Sequence, residues 1–240
     1  APPQGPIGIF DSGVGGLSVL RAVRRLAPDE PVLYLADHAH APYGEQAPLA
    51  IEQRTLRLGQ WLVDQGCRAV VVACNTATAV AVEALRRAVA VPVVAIEPAV
   101  KPAAEWTQSG VIGVLATTAT VGSERLKRLC RDHAETRGVR VVLQAGTGLV
   151  EQVEAGDLNG PHTHALLARH LAPIRAAGAD VLVLGCTHYP FLADALRDEL
   201  GDHVRLVDPA EAVARELMRR LGRLGPPERP APEARGGAPA

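Results

Sequence analysis

Two cysteines occupy matching positions in two similar halves of the chain, and this internal duplication most constrains the fold. Cys74 closes a largely apolar run that begins at Gly66, and Cys186 closes a similar run that begins at Gly178, so both landmarks repeat after 112 residues. In each copy a threonine-containing turn follows the cysteine, and a helical pattern follows the turn. The repeat predicts two units of one architecture, each presenting a thiol at the end of a strand.

Two further pairs of segments support the duplication. Residues 6–13 resemble residues 111–118 at a spacing of 105, and residues 93–98 resemble residues 204–209 at a spacing of 111. Apolar runs alternate with helical stretches, and parallel strands need crossover helices between them. The sequence therefore predicts the α/β class, with two pseudo-symmetric units, each a mostly parallel sheet flanked by helices, and the active site in the cleft between them.

The predicted units do not divide the chain at one point. Residues 1–97 form the first α/β domain and residues 98–206 the second. The helical segment that starts at residue 210 has an apolar face, and we expect it to supply the closing helix of the first unit. Residues 207–221 would then join residues 1–97 in a discontinuous domain. Residues 222–240 are rich in Pro, Gly, Ala, Glu and Arg, a composition that predicts disorder.

Charge balance and cysteine count narrow the function classes. The 240 residues include 25 basic and 26 acidic side chains, which gives no electrostatic reason to expect nucleic-acid or membrane-surface binding. Four cysteines in a chain of this length are not a disulfide framework, and we expect Cys67 and Cys130 to fill core positions. No apolar run approaches the roughly 20 residues of a membrane span, and no signal-peptide pattern is visible, so we expect a cytoplasmic protein.

Residue content also disfavours cofactors. Pyridoxal phosphate requires a lysine, and neither Lys101, at the predicted domain crossing, nor Lys127, in a charged helical face, suits that role. A dinucleotide interpretation of residues 13–18 lacks its third glycine, and Asp11 would oppose a pyrophosphate. Four histidines come in pairs without cysteines or carboxylates at ligand spacing, so no metal is expected; these are His38, His40, His162 and His164.

Several residues at the predicted strand ends suit acid–base chemistry. Ligands of open parallel sheets bind beyond the carboxyl ends of the strands, and Cys74 and Cys186 both fall there, as do Asp11 and Thr117. Each cysteine precedes a predicted helix, whose N-terminus lowers the pKa of a thiol. Two thiols facing one cleft suit a reaction with an acid and a base on opposite faces of its substrate. Ordinary strand-end residues of a repeated fold are the alternative.

Neighbouring segments offer further contacts. His188 could exchange a proton with Cys186 or with the substrate, and Glu151 could orient that histidine. Ser12, with nearby backbone N–H groups, could hold a substrate carboxylate. Residues 42–44, Pro-Tyr-Gly, could place the Tyr43 phenol and backbone N–H groups at the cleft, although alone they indicate only a turn.

Four motifs together resemble the signature set of the glutamate racemase family. They are IFDSGVGGL at residues 9–17, PYG at 42–44, ACNTA at 73–77 and LGCTHYP at 184–190. The resemblance spans residues 6–221. It implies a cofactor-independent cytoplasmic isomerase that interconverts L- and D-glutamate for bacterial peptidoglycan synthesis, and it favours a homodimer.

The resemblance also implies roles for residues. Cys74 and Cys186 would be the acid–base pair, with Cys74 deprotonating D-glutamate and Cys186 deprotonating L-glutamate. The substrate-contact positions would be Asp11, Ser12, Tyr43, Gly44, Asn75, Thr76, Thr187 and His188, with Thr117 and Thr120 as further candidates for the carboxylate. Residues 36–40 and the pair at 208–209 depart from the family pattern, which affects local loop contacts.

Other functions remain open at this point. An aspartate or hydantoin racemase of the same two-cysteine superfamily is the nearest alternative, although His188 favours glutamate because the aspartate enzymes usually carry an acidic residue there. A thiol–disulfide oxidoreductase would need a Cys-x-x-Cys motif, which the chain lacks. A non-catalytic amino-acid binding module is a third possibility, but binding alone does not require two thiols.

Overall fold

The computed structural model describes residues 5–223. The chain forms two four-stranded sheets, each flanked by helices. The first sheet and its connections comprise β1 (Ile7–Asp11), α1 (Leu17–Leu26), β2 (Val32–Ala36), α2 (Pro48–Asp64), β3 (Ala69–Val72), α3 (Asn75–Ala88) and β4 (Val93–Ala95). Most of the tail predicted at residues 222–240 lies outside the described residues.

The second sheet repeats this arrangement. Its elements are α4 (Val100–Trp106), β5 (Val111–Ala116), α5 (Thr118–Gly122), α6 (Glu124–His133), β6 (Arg140–Ala145), α7 (Leu149–Glu154), α8 (Pro161–Ala176), β7 (Val181–Gly185), α9 (Ala193–Leu200) and β8 (Arg205–Val207). The last helix of the described chain is α10 (Ala210–Arg220), and short 3-10 helices occupy His38–His40, Glu135–Arg137 and Tyr189–Leu192.

Both sheets are parallel throughout and have the same strand order. The first runs β2-β1-β3-β4 and the second β6-β5-β7-β8. The predicted fold class is therefore confirmed. Each cysteine of the duplication follows a central strand, Cys74 after β3 and Cys186 after β7.

The strands are apolar because helices cover both faces of each sheet. All five residues of β1, all four of β3 and all five of β7 are buried. The sequences of such strands are continuous apolar runs, without the alternation of apolar and polar residues found in a sheet with one exposed face. Cys67 and Cys130 are buried in apolar clusters next to the sheets, which confirms the expectation that they fill the core.

Helix α10 packs onto the first sheet although it comes last in the described chain. Its residues Val213, Leu217 and Met218 are buried in the cluster that holds Ile7 and Val19. This cluster lies on the α1 side of the first sheet, so α1 and α10 together cover that face. The packing supports the predicted discontinuous first domain, although the division into two domains stays a prediction.

Within residues 5–223 the structure has no helix long and apolar enough to cross a bilayer.

We predict that Leu217→Ala destabilises the protein, because Leu217 is fully buried between α10 and the first sheet. Such a truncation leaves a cavity, and the free energy of unfolding should fall by about 2–5 kcal/mol. Arg215→Ala is the matched control on the exposed face of α10, with an expected change within about 0.5 kcal/mol. Urea denaturation measures both, and equal losses would contradict the packing described for α10.

Candidate active site

A small cavity lies where the carboxyl ends of the two sheets face each other. The space between its walls, part of it open to solvent, is about 250 Å³. A larger, more open cavity of about 1060 Å³ lies between α1 and the start of α10. No thiol lines that larger cavity, so size alone does not identify the site.

The small cavity brings together most of the residues predicted from the sequence. Its walls are formed by Ser12, Pro42, Tyr43, Gly44, Cys74, Asn75, Thr76, Thr117, Val150, Cys186, Thr187 and His188. Asp11 and Thr120 lie just behind this wall, where Asp11 is fully buried and Thr120 accepts a hydrogen bond from the Thr117 hydroxyl. Glu151 is exposed and is not part of the wall.

Cys74 is the N-cap residue of α3. Its Sγ accepts a hydrogen bond from the Ala77 N–H at 3.5 Å. Burial raises the pKa of this thiol well above its ordinary value, and the negative charges of Asp11 and Cys186 raise it further. The helix N-terminus was expected to lower this pKa. The backbone hydrogen bond from Ala77 in α3 and the one from Ser12 do oppose the rise, but they do not offset the loss of solvation and the charge of the nearby carboxylate.

Cys186 contacts His188, which in turn contacts the carboxylate of Glu154. Its Sγ lies 3.7 Å from His188 Nδ1, and His188 Nε2 lies 2.5 Å from Glu154 Oε1. Burial opposes the charged form of His188, but the hydrogen bonds to Cys186 and Glu154 outweigh it and raise the pKa of His188 to about 10. The hydrogen bond from His188 lowers the pKa of Glu154. These contacts favour a charged imidazolium between Cys186 and the Glu154 carboxylate.

Glu154 replaces Glu151 as the partner of His188, so the expectation for Glu151 was wrong. Val150 lines the cavity, and Glu154 lies four residues further along α7, on the same helical face. Glu151 points to solvent, whereas the Glu154 side chain is only 21% exposed. The spacing from the buried residues of α7 was the signal in the sequence that could have identified Glu154.

Glu154 also joins the two units. The carboxylate oxygen that meets His188 accepts a hydrogen bond from the Val14 N–H at 2.8 Å. Val14 belongs to the loop after β1, in the first unit, whereas Glu154 ends α7 in the second. His38, also from the first unit, places Nδ1 3.5 Å from the other carboxylate oxygen. One carboxylate therefore contacts His188 in the second unit and both Val14 and His38 in the first.

Asp11 organises the loop that follows β1. Its Oδ2 accepts hydrogen bonds from the N–H groups of Gly13 at 3.3 Å and Gly16 at 2.9 Å. Burial raises the pKa of Asp11, while the charge of His188 and these backbone bonds oppose the rise. Gly15 in this loop has no room for a side chain, since a Cβ there would lie about 2.5 Å from the Thr187 hydroxyl. The loop therefore packs tightly against the second unit.

Hydroxyl and amide groups complete the wall opposite this loop. Thr76 Oγ1 and Thr117 Oγ1 are 2.8 Å apart and connect the two units. Both polar atoms of the Asn75 side chain are buried, and neither finds a hydrogen-bond partner among the described residues. Because buried polar groups are usually hydrogen-bonded, a polar ligand in the cavity would satisfy the Asn75 amide. These groups suit the carboxylates of a small acid.

The structure differs from two sequence expectations in detail. The Tyr43 phenol was expected to face the cavity, but its hydroxyl donates its single proton to Asp37 Oδ2 at 2.5 Å. The helix expected directly after Cys186 is a short 3-10 helix, and α9 begins only at Ala193.

Within residues 5–223, no group of three or more His, Cys, Asp or Glu side chains is placed to hold a metal ion.

Comparison with known proteins identifies a family. Residues 14–217 match the Asp/Glu/hydantoin racemase family. A glutamate racemase from Ralstonia pickettii is 53% identical over 222 residues, which cover 92% of this chain and 78% of the relative.

Solved structures show the same likeness. The structure of Escherichia coli glutamate racemase in complex with L-glutamate and the activator UDP-MurNAc-Ala superposes with a TM-score of 0.84 at 36% identity, covering 93% of this chain and 85% of that one. A glutamate racemase from Francisella tularensis in complex with D-glutamate superposes with a TM-score of 0.80 at 28% identity, covering 92% and 81%.

We predict that Glu154→Gln lowers the pKa of His188 from about 10, because a neutral amide no longer stabilises the imidazolium. A raised histidine pKa contributes stability in full below the unfolded pKa of about 6.5, and this contribution is lost as pH rises through the folded pKa. The wild type should therefore exceed the variant in stability most below about pH 6.5, and this difference should disappear as pH rises through about 10. NMR titration of the His188 ring nitrogens measures the pKa directly.

Glu151→Gln is the matched control for this prediction, since Glu151 lies on the same helix but is exposed. It should leave the His188 titration unchanged. A His188 resonance that titrates near the ordinary value of about 6.5 in the wild type, or that responds equally to both variants, would contradict the role given to Glu154.

Proposed function

The chain belongs to the glutamate racemases of the Asp/Glu/hydantoin racemase family, and we propose that it interconverts L- and D-glutamate by proton transfer at the α-carbon. The observation that supports this most is the pair of thiols, Cys74 and Cys186, which come from equivalent strands of the two units and line one small cavity. The reaction is an isomerisation, so the enzyme must remove a proton from one face of the substrate and return one to the other.

In the direction from L- to D-glutamate, the Cys186 thiolate takes the α-proton, and the Cys74 thiol gives its proton to the opposite face of the carbon. The product leaves Cys186 as a thiol and Cys74 as a thiolate, and the reverse reaction starts from that state. The nearby His188 imidazolium stabilises the Cys186 thiolate through the 3.7 Å contact. A positioned base of this kind contributes about 10²–10⁴-fold to the rate.

Cys74 needs a different source of stabilisation, since burial and the charge of Asp11 raise its pKa. We propose that the ammonium group of the substrate binds near Asp11. A positive charge there would offset the repulsion between the Asp11 carboxylate and the Cys74 thiolate. The substrate itself would then complete the electrostatics that make Cys74 a base.

The remaining wall residues would hold the two substrate carboxylates. Ser12, Thr76, Thr117 and Thr187 offer hydroxyl groups, and Asn75 offers its unpaired amide. Tyr43 and Gly44 would contribute backbone N–H groups. Fixed donors near the α-carbon also stabilise the negative charge that develops as the proton leaves. Relatives bind L-glutamate and D-glutamate, which supports glutamate over aspartate as the substrate.

The proposal includes the biological setting that the family resemblance implies. The reaction needs two thiols and a set of hydrogen-bond donors, so we propose that it proceeds without a cofactor. We further propose that the enzyme acts in the cytoplasm as a homodimer and supplies D-glutamate for peptidoglycan synthesis.

We predict that the protein causes the circular dichroism of L-glutamate to decay without any added cofactor, whereas L-aspartate remains unchanged. Cys74→Ser and Cys186→Ser should each reduce the rate by at least about 10²–10⁴-fold, because a hydroxyl is a far weaker acid than a thiol and a poor base at neutral pH. Polarimetry or circular dichroism of the substrate follows the reaction.

Cys130→Ser is the matched control, because Cys130 is buried on α6 and does not line the cavity. It should racemise glutamate at a rate close to that of the wild type. Near-normal turnover in either Cys74→Ser or Cys186→Ser would eliminate the two-thiol scheme. Decay with aspartate alone would move the assignment to an aspartate racemase. Glutamate binding without decay would support the non-catalytic binding module.

A further inference from the structure

A partly buried ion pair between Arg54 and Asp37 lies behind the cavity wall. Asp37, just after β2, is only 5% exposed. Arg54 of α2 reaches it with two hydrogen bonds of 2.7 Å, from Nε to Oδ2 and from Nη2 to Oδ1. A buried carboxylate is costly unless it is paired and hydrogen-bonded. This two-pronged contact is the strong form of the arginine–carboxylate pair.

The ion pair is connected to the cavity through Tyr43. The Tyr43 hydroxyl donates to Asp37 Oδ2 at 2.5 Å, on the same oxygen that Arg54 Nε meets. The Tyr43 ring is buried in the apolar cluster that includes Cys74. Tyr43 and its neighbour Gly44 both line the cavity. Asp37 therefore fixes the side chain of a residue whose backbone forms the wall.

The same segment meets the second unit. The Gly44 carbonyl accepts a hydrogen bond from the Ala119 N–H at 3.1 Å, and a Cβ on Gly44 would lie 2.9 Å from Thr117 Cβ. Residues 42–46 thus run between the Asp37 pair in the first unit and α5 in the second. A small shift of Tyr43 would move both the cavity wall and this contact between units.

We propose that Arg54 is a positioning residue for substrate binding, which acts through Asp37 and Tyr43 to hold the backbone of residues 43–44 at the cavity. The inference rests on the proposed racemase function. Arg54 itself does not line the cavity, so it acts on the substrate only through this chain of contacts.

Charge and geometry both point to arginine at this position. Burial alone would raise the pKa of Asp37, but the hydrogen bonds from Arg54 and Tyr43 outweigh it and lower this pKa to about 2. Asp37 therefore remains a carboxylate, able to accept from both partners, at any pH at which the enzyme would work. A lysine carries the same charge but cannot reproduce the planar two-pronged contact.

The position of the segment predicts a specific kinetic effect. Residues 43–44 belong to the wall of the binding cavity, while Cys74 and Cys186 are held by β3 and β7. Loosening the segment would weaken binding of the substrate and of the transition state to the same extent. Such a loss of uniform binding raises KM and leaves kcat unchanged. A purely stabilising ion pair would instead lower the amount of folded enzyme without changing KM.

The experiment compares Arg54→Met, Arg54→Lys and Arg57→Met. Arg57 lies one turn further along α2 and is exposed, so it is the matched control. We expect Arg54→Met to raise KM for L-glutamate and the calorimetric Kd for D-glutamate about 10–100-fold, as for the loss of hydrogen bonds to a charged group. Its kcat should stay within about threefold of the wild type. The KM and Kd of Arg54→Lys should fall between those of the wild type and those of Arg54→Met. Both constants should be unchanged in Arg57→Met.

Hydrogen exchange of the backbone amides gives a readout that does not depend on activity. The Gln46 N–H bonds to the Tyr43 carbonyl at 3.0 Å, and amides of the 43–46 segment should exchange faster in Arg54→Met than in Arg57→Met. If the wild type neither racemises nor binds glutamate, the proposed function fails, while the exchange comparison still decides whether Arg54 positions the segment.

Three results would overturn the role of Arg54. They are an unchanged KM with unchanged exchange in Arg54→Met, a fall in kcat alone, and equal effects in the Arg57→Met control. If Arg54→Met does not fold, Arg54→Lys retains the charge in the buried site and decides the question by the same three measurements. A KM and an exchange rate equal to those of the wild type in Arg54→Lys would then reject the requirement for the two-pronged contact.

Discussion

The parallel pairing of β3 with β1 and of β7 with β5 is the constraint on which the rest of the structure depends. In a parallel sheet all carboxyl ends lie at one edge, so each sheet presents its polar residues in one direction. The two units then place these edges face to face. Cys74 and Cys186 come to a common cavity because each follows the corresponding central strand of its own sheet.

Once the edges face each other, buried charge must be balanced across the cleft. The second unit supplies Glu154 and His188, and the first supplies Asp11 and the Val14 N–H. The interactions differ for the two thiols: Cys186 has an imidazolium beside it, while Cys74 lies near a carboxylate. Pseudo-symmetric strands therefore carry an asymmetric site, and this asymmetry fits the proposal that two bases meet opposite faces of a chiral substrate.

Sequence reasoning identified the fold class and nearly all of the cavity wall, because strand ends and turn residues are local features. It failed where the answer depended on orientation. Glu151 and Glu154 both belong to α7, and only the packing of that helix shows that Glu154 faces His188. The pKa of Cys74 was also misjudged, since a helix N-terminus is visible in the sequence but complete burial next to Asp11 is not. Arg54 and Asp37 are 17 residues apart, and no local pattern links them.

The sequence by itself determined the duplicated α/β architecture, the two thiols and the residue types that surround them. Periodicity, glycine-bounded apolar runs and the 112-residue repeat are properties of the chain alone. The tertiary structure decided which carboxylate contacts His188, how the Tyr43 hydroxyl is used and which arginine pairs with Asp37. These features depend on distances between groups far apart in the chain, and such distances exist only after the two sheets and their helices have packed.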